Sequence, residues 1–487
     1  FATNSDTEVI LALYDEYGDE FLTHLPGMFA FALWDETTKT LTCGRDRFGE
    51  KPFYYAIGLH GEFVFASEIK AILASGLITP ELNHDSLHHY LQYLYVNPYT
   101  TIYRNIHVLP PAHQLTWHQG TITTERYWHF PPLNNSLSLN EAATTFATKL
   151  EQAVKQQLVA HVPVGAFLSG GLDSSTIVAL ASRHTTKLKT FSFSFENSIN
   201  ELPYARAIAR KYQTDHHELS DDEYDIADLL LEMSHVYDEP FADSSNIPTY
   251  LIAKRAREHV TVVLTGDGGD ELLGGYGGWY TPLLCAARSK QPLPSPIVQL
   301  GQLAARVFHK ARLPYRFALS HLLAGDTIAK AHHPSLLAAH TAQMTYFSDT
   351  QISALTKSPV TAYHYQPHWQ PSGTLDDVLR MDVDHYMPGD ILTKIDRAAM
   401  AHGLELRAPF LDVSVAELCL SLPYQFKIST REEKILLRRA FADQWTRSIR
   451  RRQKQGFGAP VGRWLQLPKV KTLVDTYLRD PKQPIFS

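Results

Sequence analysis

Cysteine is scarce in this chain of 487 residues: three are present, Cys43, Cys285 and Cys419, far apart and never as a CxxC pair. That spacing excludes a disulfide framework and a zinc knuckle, and it is what a reducing, cytoplasmic compartment leads one to expect. Long apolar runs are missing too. No stretch approaches the ~20 residues that span a bilayer, so no membrane partner is expected. Charge of one sign is not in excess either. The 45 Lys+Arg against 51 Asp+Glu leave a net charge of −6, which gives no electrostatic footprint for nucleic acid. Neither an internal repeat nor a low-complexity tract occurs. The opening residues FATNSDTEVILALYDEYGDEF have no charged n-region or small-residue cleavage site, so they predict no signal peptide. They read as the middle of a longer chain, with Ser5 or Asp6 capping a helix on which Val9, Ile10, Leu13 and Tyr17 fall at helical spacing.

What is there is enough for two or more domains, with 44% hydrophobic residues to fill their cores. From Gly27 to Ile72 the stretches GMFAFALWD, TLTCGRDRFG, PFYYAIG and EFVFASEIKAIL read as short strands in a β-rich layer. NHDSLHHYLQYLYV reads as a helix, and the polar LNNSLSLN as a linker, which puts a domain boundary near residue 135. Beyond it, strand and helix alternate: VGAFL then SSTIVALASRH, LKTFSFSF then ELPYARAIARKY, TDHHELS then a helix, PTYLIAKRAREH then VTVVLTGDGGDE. Continuous apolar strands of this kind predict a parallel sheet covered on both faces, with ligands at its carboxyl ends. After about residue 280 the pattern is mainly helical.

The first chemical signal is VGAFLSGGLDSSTIVALAS, residues 164–182. Glycines fall where a buried strand turns into a helix, so Ser169, Gly170, Gly171, Ser174 and Ser175 offer backbone N–H groups and small side chains to an anion. The lysine of a Walker-type loop is absent, and Asp173 stands among the anion-binding residues. A carboxylate there repels bare phosphate and makes sense with Mg²⁺ between it and the phosphate oxygens; the plainer alternative is a helix cap. The second signal, VTVVLTGDGGDELLGGYGG, sets Asp267, Asp270 and Glu271 among glycines after another buried strand. Gly-Asp clusters are commonly turns, but carboxylates beside a phosphate cradle suit metal binding or acid–base work. The stretches YMPGDILTKIDRAAMAHGLELRAPFLD and RRQKQGFGAPVGRW add Lys394, Arg397, Arg407 and Lys454, cations of the kind a departing polyphosphate needs, each with a surface or helix-end role as the alternative.

Taken in order, these motifs resemble the glutamine-hydrolysing asparagine synthetase family over nearly the whole chain. SGGLDSS is similar to the pyrophosphate loop of ATP pyrophosphatases, and SDTEVILALY, LPGMFAFALWD and RDRFGEKPFYYA resemble the rear part of that family's glutaminase domain. The resemblance implies an incomplete Ntn-type α+β sandwich over residues 1–130. It implies an adenine-nucleotide α-hydrolase-like doubly wound parallel sheet with a helical C-terminal part over residues 138–487. It implies ATP and Mg²⁺ as cofactors, with glutamine or ammonia and aspartate or a related acid as small-molecule substrates, and leaves a homodimer open. Carried over by residue, Leu168, Ser169, Gly170, Gly171, Asp173, Ser174, Phe193, Gly269 and Asp270 would hold ATP and pyrophosphate, with Asp173 and Asp270 on the metal. Asp173, Glu271 and Lys454 would be catalytic, Glu271 as acid/base and Lys454 at the α-phosphoryl group, and Asp6 would grip glutamine. The family's nucleophilic N-terminal cysteine has no counterpart at Phe1. Cys43 lies in a predicted strand, without a free amine, and is not its substitute. Where aspartate-amidating members carry an arginine ahead of NIPTYL, this chain has Ser244. Another adenylating enzyme of this loop class, of the β-lactam-forming or saccharide-modifying kind, and a degenerate nucleotide-binding scaffold remain the alternatives.

Overall fold

The fold is that of a computed structural model, which describes residues 1–3, 5–194, 201–220, 224–289, 292–310, 316–331, 333–360, 363, 365–452 and 458–479. Helix α1 (Asp6–Tyr17) starts at Ser5, whose side chain accepts the Thr7 N–H, and none of its residues is buried. It leads into the short helix α2 (Phe21–His24). Seven strands follow: β1 (Ala30–Asp35), β2 (Thr40–Arg45), β3 (Tyr54–Ile57), β4 (Phe63–Ala66), β5 (His107–Val108), β6 (His113–His118) and β7 (Thr121–Arg126). They form two antiparallel sheets, β1-β2-β6-β7 and β4-β3-β5. Alternation along the strands turns Cys43 and Leu115 of one sheet toward Phe53, Leu109, Tyr55 and Phe63 on the other, the packing expected of a sandwich. Helix α2 covers the outer face of the first sheet. There Gly44 is required, since a Cβ would come within 2.9 Å of both Leu22 and Phe31. Helix α3 (Ile69–Ala74) covers the second with Ile69 and Ile72.

The sequence reading has no strand between Pro110-Pro111 and the linker, yet the β6–β7 hairpin lies there, turning on Gln119 and Gly120. Both have positive φ, 49° and 83°, as a two-residue hairpin turn demands. EFVFASEIKAIL also divides into strand β4 and helix α3 rather than running as one strand. NHDSLHHYLQYLYV forms the expected helix, α4 (His84–Tyr93).

Helix α5 (Leu139–Gln157) opens on a full capping box between Ser138 and Glu141. The strands β8 (Val164–Phe167), β9 (Lys189–Ser194), β10 (Asp215–Ser220), β11 (Val262–Leu264) and β12 (Glu405–Arg407) form one sheet in the order β10-β9-β8-β11-β12, every pair parallel. Helices α5, α6 (Leu172–Ala181) and α7 (Leu202–Tyr212) bury one face. Helices α8 (Ile226–Tyr237), α9 (Asn246–Arg257) and the helix Thr393–Met400 bury the other. Helix α6 has apolar and small residues all round and is buried from Ser174 to Ala181. The sheet is therefore doubly wound, and its order reverses between β8 and β11. That switch point is where such sheets open a crevice for ligands. From Gly277 onward the chain is mostly helical, with its own core around Tyr280, Leu283, Leu379 and Ile428.

One element ties the two layers together. Residues Asp382–Leu392 wind as a π-helix, a wide turn that is uncommon at this length. Its His385 meets the Tyr95 hydroxyl at 3.1 Å, its Asp384 faces Arg126 at 3.6 Å, and its Gly389 lets the Tyr95 ring approach so closely that a Cβ would sit 2.6 Å from it. Just beyond, Lys51 pairs with Asp396 at 2.9 Å. Arg397 lies over the Tyr54 ring and faces Glu68 at 3.6 Å.

Candidate active site

The two glycine-rich turns predicted from sequence leave adjacent strands, β8 and β11, and meet at the switch point. In the first, Gly170 has φ +68°, and a Cβ there would come within 2.5 Å of Tyr204 Cβ and 2.7 Å of the Ala205 nitrogen. Only glycine fits. Gly171 is the N-cap of α6 and no side chain caps the helix, so neither Asp173 nor Ser174 has the cap role. The Ser169 hydroxyl instead accepts the Gly171 N–H at 3.2 Å and meets the Ser174 hydroxyl at 3.0 Å, fixing the small side chains around the turn. In the second turn, Gly266 and Gly269 lie against Asp173: a Cβ on either would fall 2.9 Å from it. The loops are thus packed on each other through the carboxylate that the sequence reading singled out.

A cavity of about 270 Å³ opens over them. Its wall includes Leu168, Ser169, Gly170, Gly171, Asp173, Ser174, Phe193 and Asp270. All but one of the residues expected to hold nucleotide therefore line a single space, the exception being Gly269, which stands behind the wall against Asp173. Leu168 is 1% exposed and held to β9 by its N–H on the Phe191 carbonyl, 2.8 Å. Glu271 is buried behind Asp270, with the Tyr276 hydroxyl donating to its carboxylate. Asp6 opens α1 as an exposed residue whose carboxylate accepts from Thr7 N–H, 2.9 Å, in its own first turn. Lys454 falls outside the described residues.

The three described cations of the four expected from sequence separate. Lys394 lines the cavity and pairs with Asp243 at 2.6 Å. Burial alone would depress its ammonium, but the Asp243 and Asp390 carboxylates outweigh that and raise its pKa. Asp390 itself is pushed up to about 8 by burial, against the pull of Lys394. Arg397 belongs to the contact between the layers, as described above. Arg407 donates to the carbonyls of Gln157 and Val159 at 2.7 and 2.8 Å and pairs with Glu405, so it closes the end of α5.

Sequence reasoning missed three cations on the wall, Lys434, Arg438 and Arg452. Lys434 Nζ bridges the two predicted metal carboxylates, contacting Asp173 Oδ2 and lying 2.6 Å from Asp270 Oδ1. Its position was a signal. A lysine at the N-cap of the helix Ile435–Phe441 meets the positive end of the helix dipole, where cations are disfavoured unless something else neutralises them. Arg452 donates to the Ser169 carbonyl at 3.1 Å, pairs with Glu201, and lies 4.5 Å over the Tyr204 ring. It clasps the first turn to α7. The carboxylates fit a divalent cation. Both already converge on one positive charge, and Asp173 Oδ1, among the described residues, is buried with no hydrogen-bond partner. Mg²⁺ held by one or two carboxylates and substrate phosphates needs such a donor set.

A doubly wound parallel sheet, with paired glycine turns and a carboxylate–ammonium–carboxylate bridge at its switch point, defines a nucleotide-binding α/β enzyme. Comparison with known proteins narrows this. The asparagine synthase family model matches residues 145–487 and the glutamine amidotransferase domain model residues 1–128. A putative asparagine synthetase [glutamine-hydrolyzing] of Mycobacterium tuberculosis (strain H37Rv) is 36% identical, over 96% of this chain and 72% of that protein. Asparagine synthetase [glutamine-hydrolyzing] 1 of Bacillus subtilis is 31% identical, over 96% and 73%. The chain belongs to the asparagine synthase family and is an ATP-dependent ligase of the glutamine-using kind. An NH3-dependent NAD synthetase from Campylobacter jejuni superposes at 18% identity and a TM-score of 0.23, over 43% of this chain and 94% of that chain, a likeness too distant to carry an argument.

Proposed function

We propose that this protein activates a carboxylic acid, the side chain of aspartate first among candidates, as an acyl-adenylate and converts it to the amide with ammonia, releasing AMP and pyrophosphate. The observation that carries this reading is the pair of glycine turns meeting through Asp173, with Lys434 and Asp270 against it and no Walker lysine in the loop. The Gly170 N–H and the N-terminus of α6 bind the phosphates that leave. Phe193, on the cavity wall, stacks beside the base. The acceptor's carboxylate oxygen attacks the α-phosphorus as the bond to pyrophosphate breaks. Ammonia then attacks the acyl carbon, AMP departs, and the surplus ammonium proton passes to a base, for which Glu271 is the candidate. Mg²⁺, when bound to Asp173 and Asp270, supplies charge neutralisation for the polyphosphate. Lys394 and Arg452 on the wall add positive charge beside the phosphates, and the family resemblance assigns Lys454 to the α-phosphoryl group. Residues 1–130 form the glutaminase side, with Asp6 holding the amino group of glutamine, and residues 138–487 the ligase side.

Turnover with ATP, ammonium and a panel of amino acids and sugar acids tests this. AMP and pyrophosphate should appear in equal amounts, with the amide of one acid. ADP and phosphate in their place would show that the bond cleaved is the γ one and that the reading is wrong.

A further inference from the structure

The ammonium of Lys434 occupies the place that the nucleotide reading assigns to a divalent cation. We propose that Lys434 is a resident counter-ion: it holds Asp173 and Asp270 while the site is without nucleotide, yields both to Mg²⁺ as the nucleotide binds, and turns to the polyphosphate. The inference rests on the proposed function only for the identity of the incoming ligand.

Four features carry it. The Lys434 side chain is 4% exposed and its one charge is shared by two carboxylates. Asp173 Oδ1 is buried without a hydrogen bond, so the ammonium uses that carboxylate only in part and leaves an oxygen for a metal. The site is also close-packed. A Cβ at Gly275 would collide with both Lys434 Cε and Asp270 Oδ1, so glycine there is what lets the pair pack together, and Lys434 lines the cavity. Finally, Lys434 is held at φ +53° as an N-cap. This conformation and position both disfavour a lysine, and such strain is tolerated where the surroundings over-determine it. A purely structural ion pair between helices needs none of this and would be met by one carboxylate.

The test uses Mn²⁺ as probe, followed by electron paramagnetic resonance of the free ion, first alone and then with pyrophosphate. Wild-type protein should bind Mn²⁺ weakly alone and more tightly with pyrophosphate. Lys434→Met removes the competitor and should bind Mn²⁺ alone about tenfold more tightly or better, since no ammonium then competes with the ion for the two carboxylates. Its affinity for pyrophosphate at saturating Mn²⁺ should fall about tenfold, through loss of the cation that turns to phosphate. Adding Asp173→Asn to Lys434→Met should abolish the gain in Mn²⁺ affinity. If Lys434→Met does not fold, Lys434→Gln provides the same comparison, and recovery of a folded Lys434→Met on adding Mn²⁺ supports the proposal directly. Equal Mn²⁺ affinity in wild type and variant, or tight binding that survives Asp173→Asn, overturns it. Because AMP formation is measured on the wild type, loss of the counter-ion role and loss of the nucleotide reading give separate signatures.

Discussion

At the scale of single residues, Cys43 shows how burial decides chemistry. It is 0% exposed inside the sandwich, and burial pushes its thiol up to about 12; Cys419, also 0% exposed, rises to about 12 for the same reason. A thiol in that state is neither nucleophile nor ready target. In native protein at pH 8 an aromatic disulfide reagent should therefore leave Cys43 and Cys419 unlabelled and react at Cys285 alone, with all three labelled in denaturant, as peptide mass spectrometry would show. Rapid native labelling of Cys43 would contradict its placement. The residue scale is also where the sequence was least legible. Asp173, Asp270 and Ser169 announce themselves because the strand, turn and helix around them are contiguous. Lys434 reaches Asp173 across 261 positions, and no local pattern in EEKILLRR names its partners. Only the oddity of a lysine at a helix start marks it. Arg407 takes the helix-end role that the sequence left as its alternative, since its side chain serves the end of α5.

Among the elements, the first glycine turn separates two requirements that the motif writes side by side. Gly170 is needed by the fold, for its φ is +68° and α7 backbone lies within 2.7 Å of where a Cβ would be. Gly171 lacks both constraints: its nearest neighbours to a Cβ are Ser169 Oγ at 3.3 Å and Ser174 Oγ at 4.0 Å, with φ −74°. Gly170→Ala should lose on the order of 1–3 kcal/mol of stability, read as a lower denaturation midpoint, and nucleotide binding with it. Gly171→Ala should fold with little loss yet bind ATP more weakly, because its methyl group enters the cradle. Equal melting behaviour of the two variants would refute this division. Most elements could be read from sequence because they are local: apolar runs for β8 and β9, helical spacing for α1 and α4. Strand β12 is three residues long and lies inside a motif read for its charges. The π-helix is only half legible: Pro388 and Gly389 within residues 382–392 mark a disturbed helix, but its width over the whole stretch is set by what it packs against.

For the molecule as a whole, the contact between the sandwich and the nucleotide-binding layer includes a carboxyl that prefers its proton. Burial pushes Glu239 up to about 7 from an ordinary 4.5, partly opposed by the Ile102 N–H, which donates to it at 2.6 Å, and by Arg397. An acid whose folded pKa is raised favours folding fully below about 4.5 and loses that contribution as pH climbs to about 7. From pH 5 to pH 8 the stability of Glu239→Gln relative to wild type should therefore improve by roughly 2 kcal/mol, after allowance for solvent screening. Urea midpoints at the two pH values measure it, and a pH-independent difference would mean that Glu239 stays ionised in the fold.

The π-helix carries one more consequence, for anyone who would exchange parts between members of this family. Tyr95 and Arg126 grip His385 and Asp384 on it, and two residues beyond its last turn the same stretch delivers Lys394 to the cavity. The sandwich and the cavity cation thus share one spar, and neither can be re-seated without dragging the other. A chimera cut at the linker alone severs that spar's matched grips. The heritable module is discontinuous: residues 1–130 together with 382–397, which must be inherited as a set even though some 250 positions separate them.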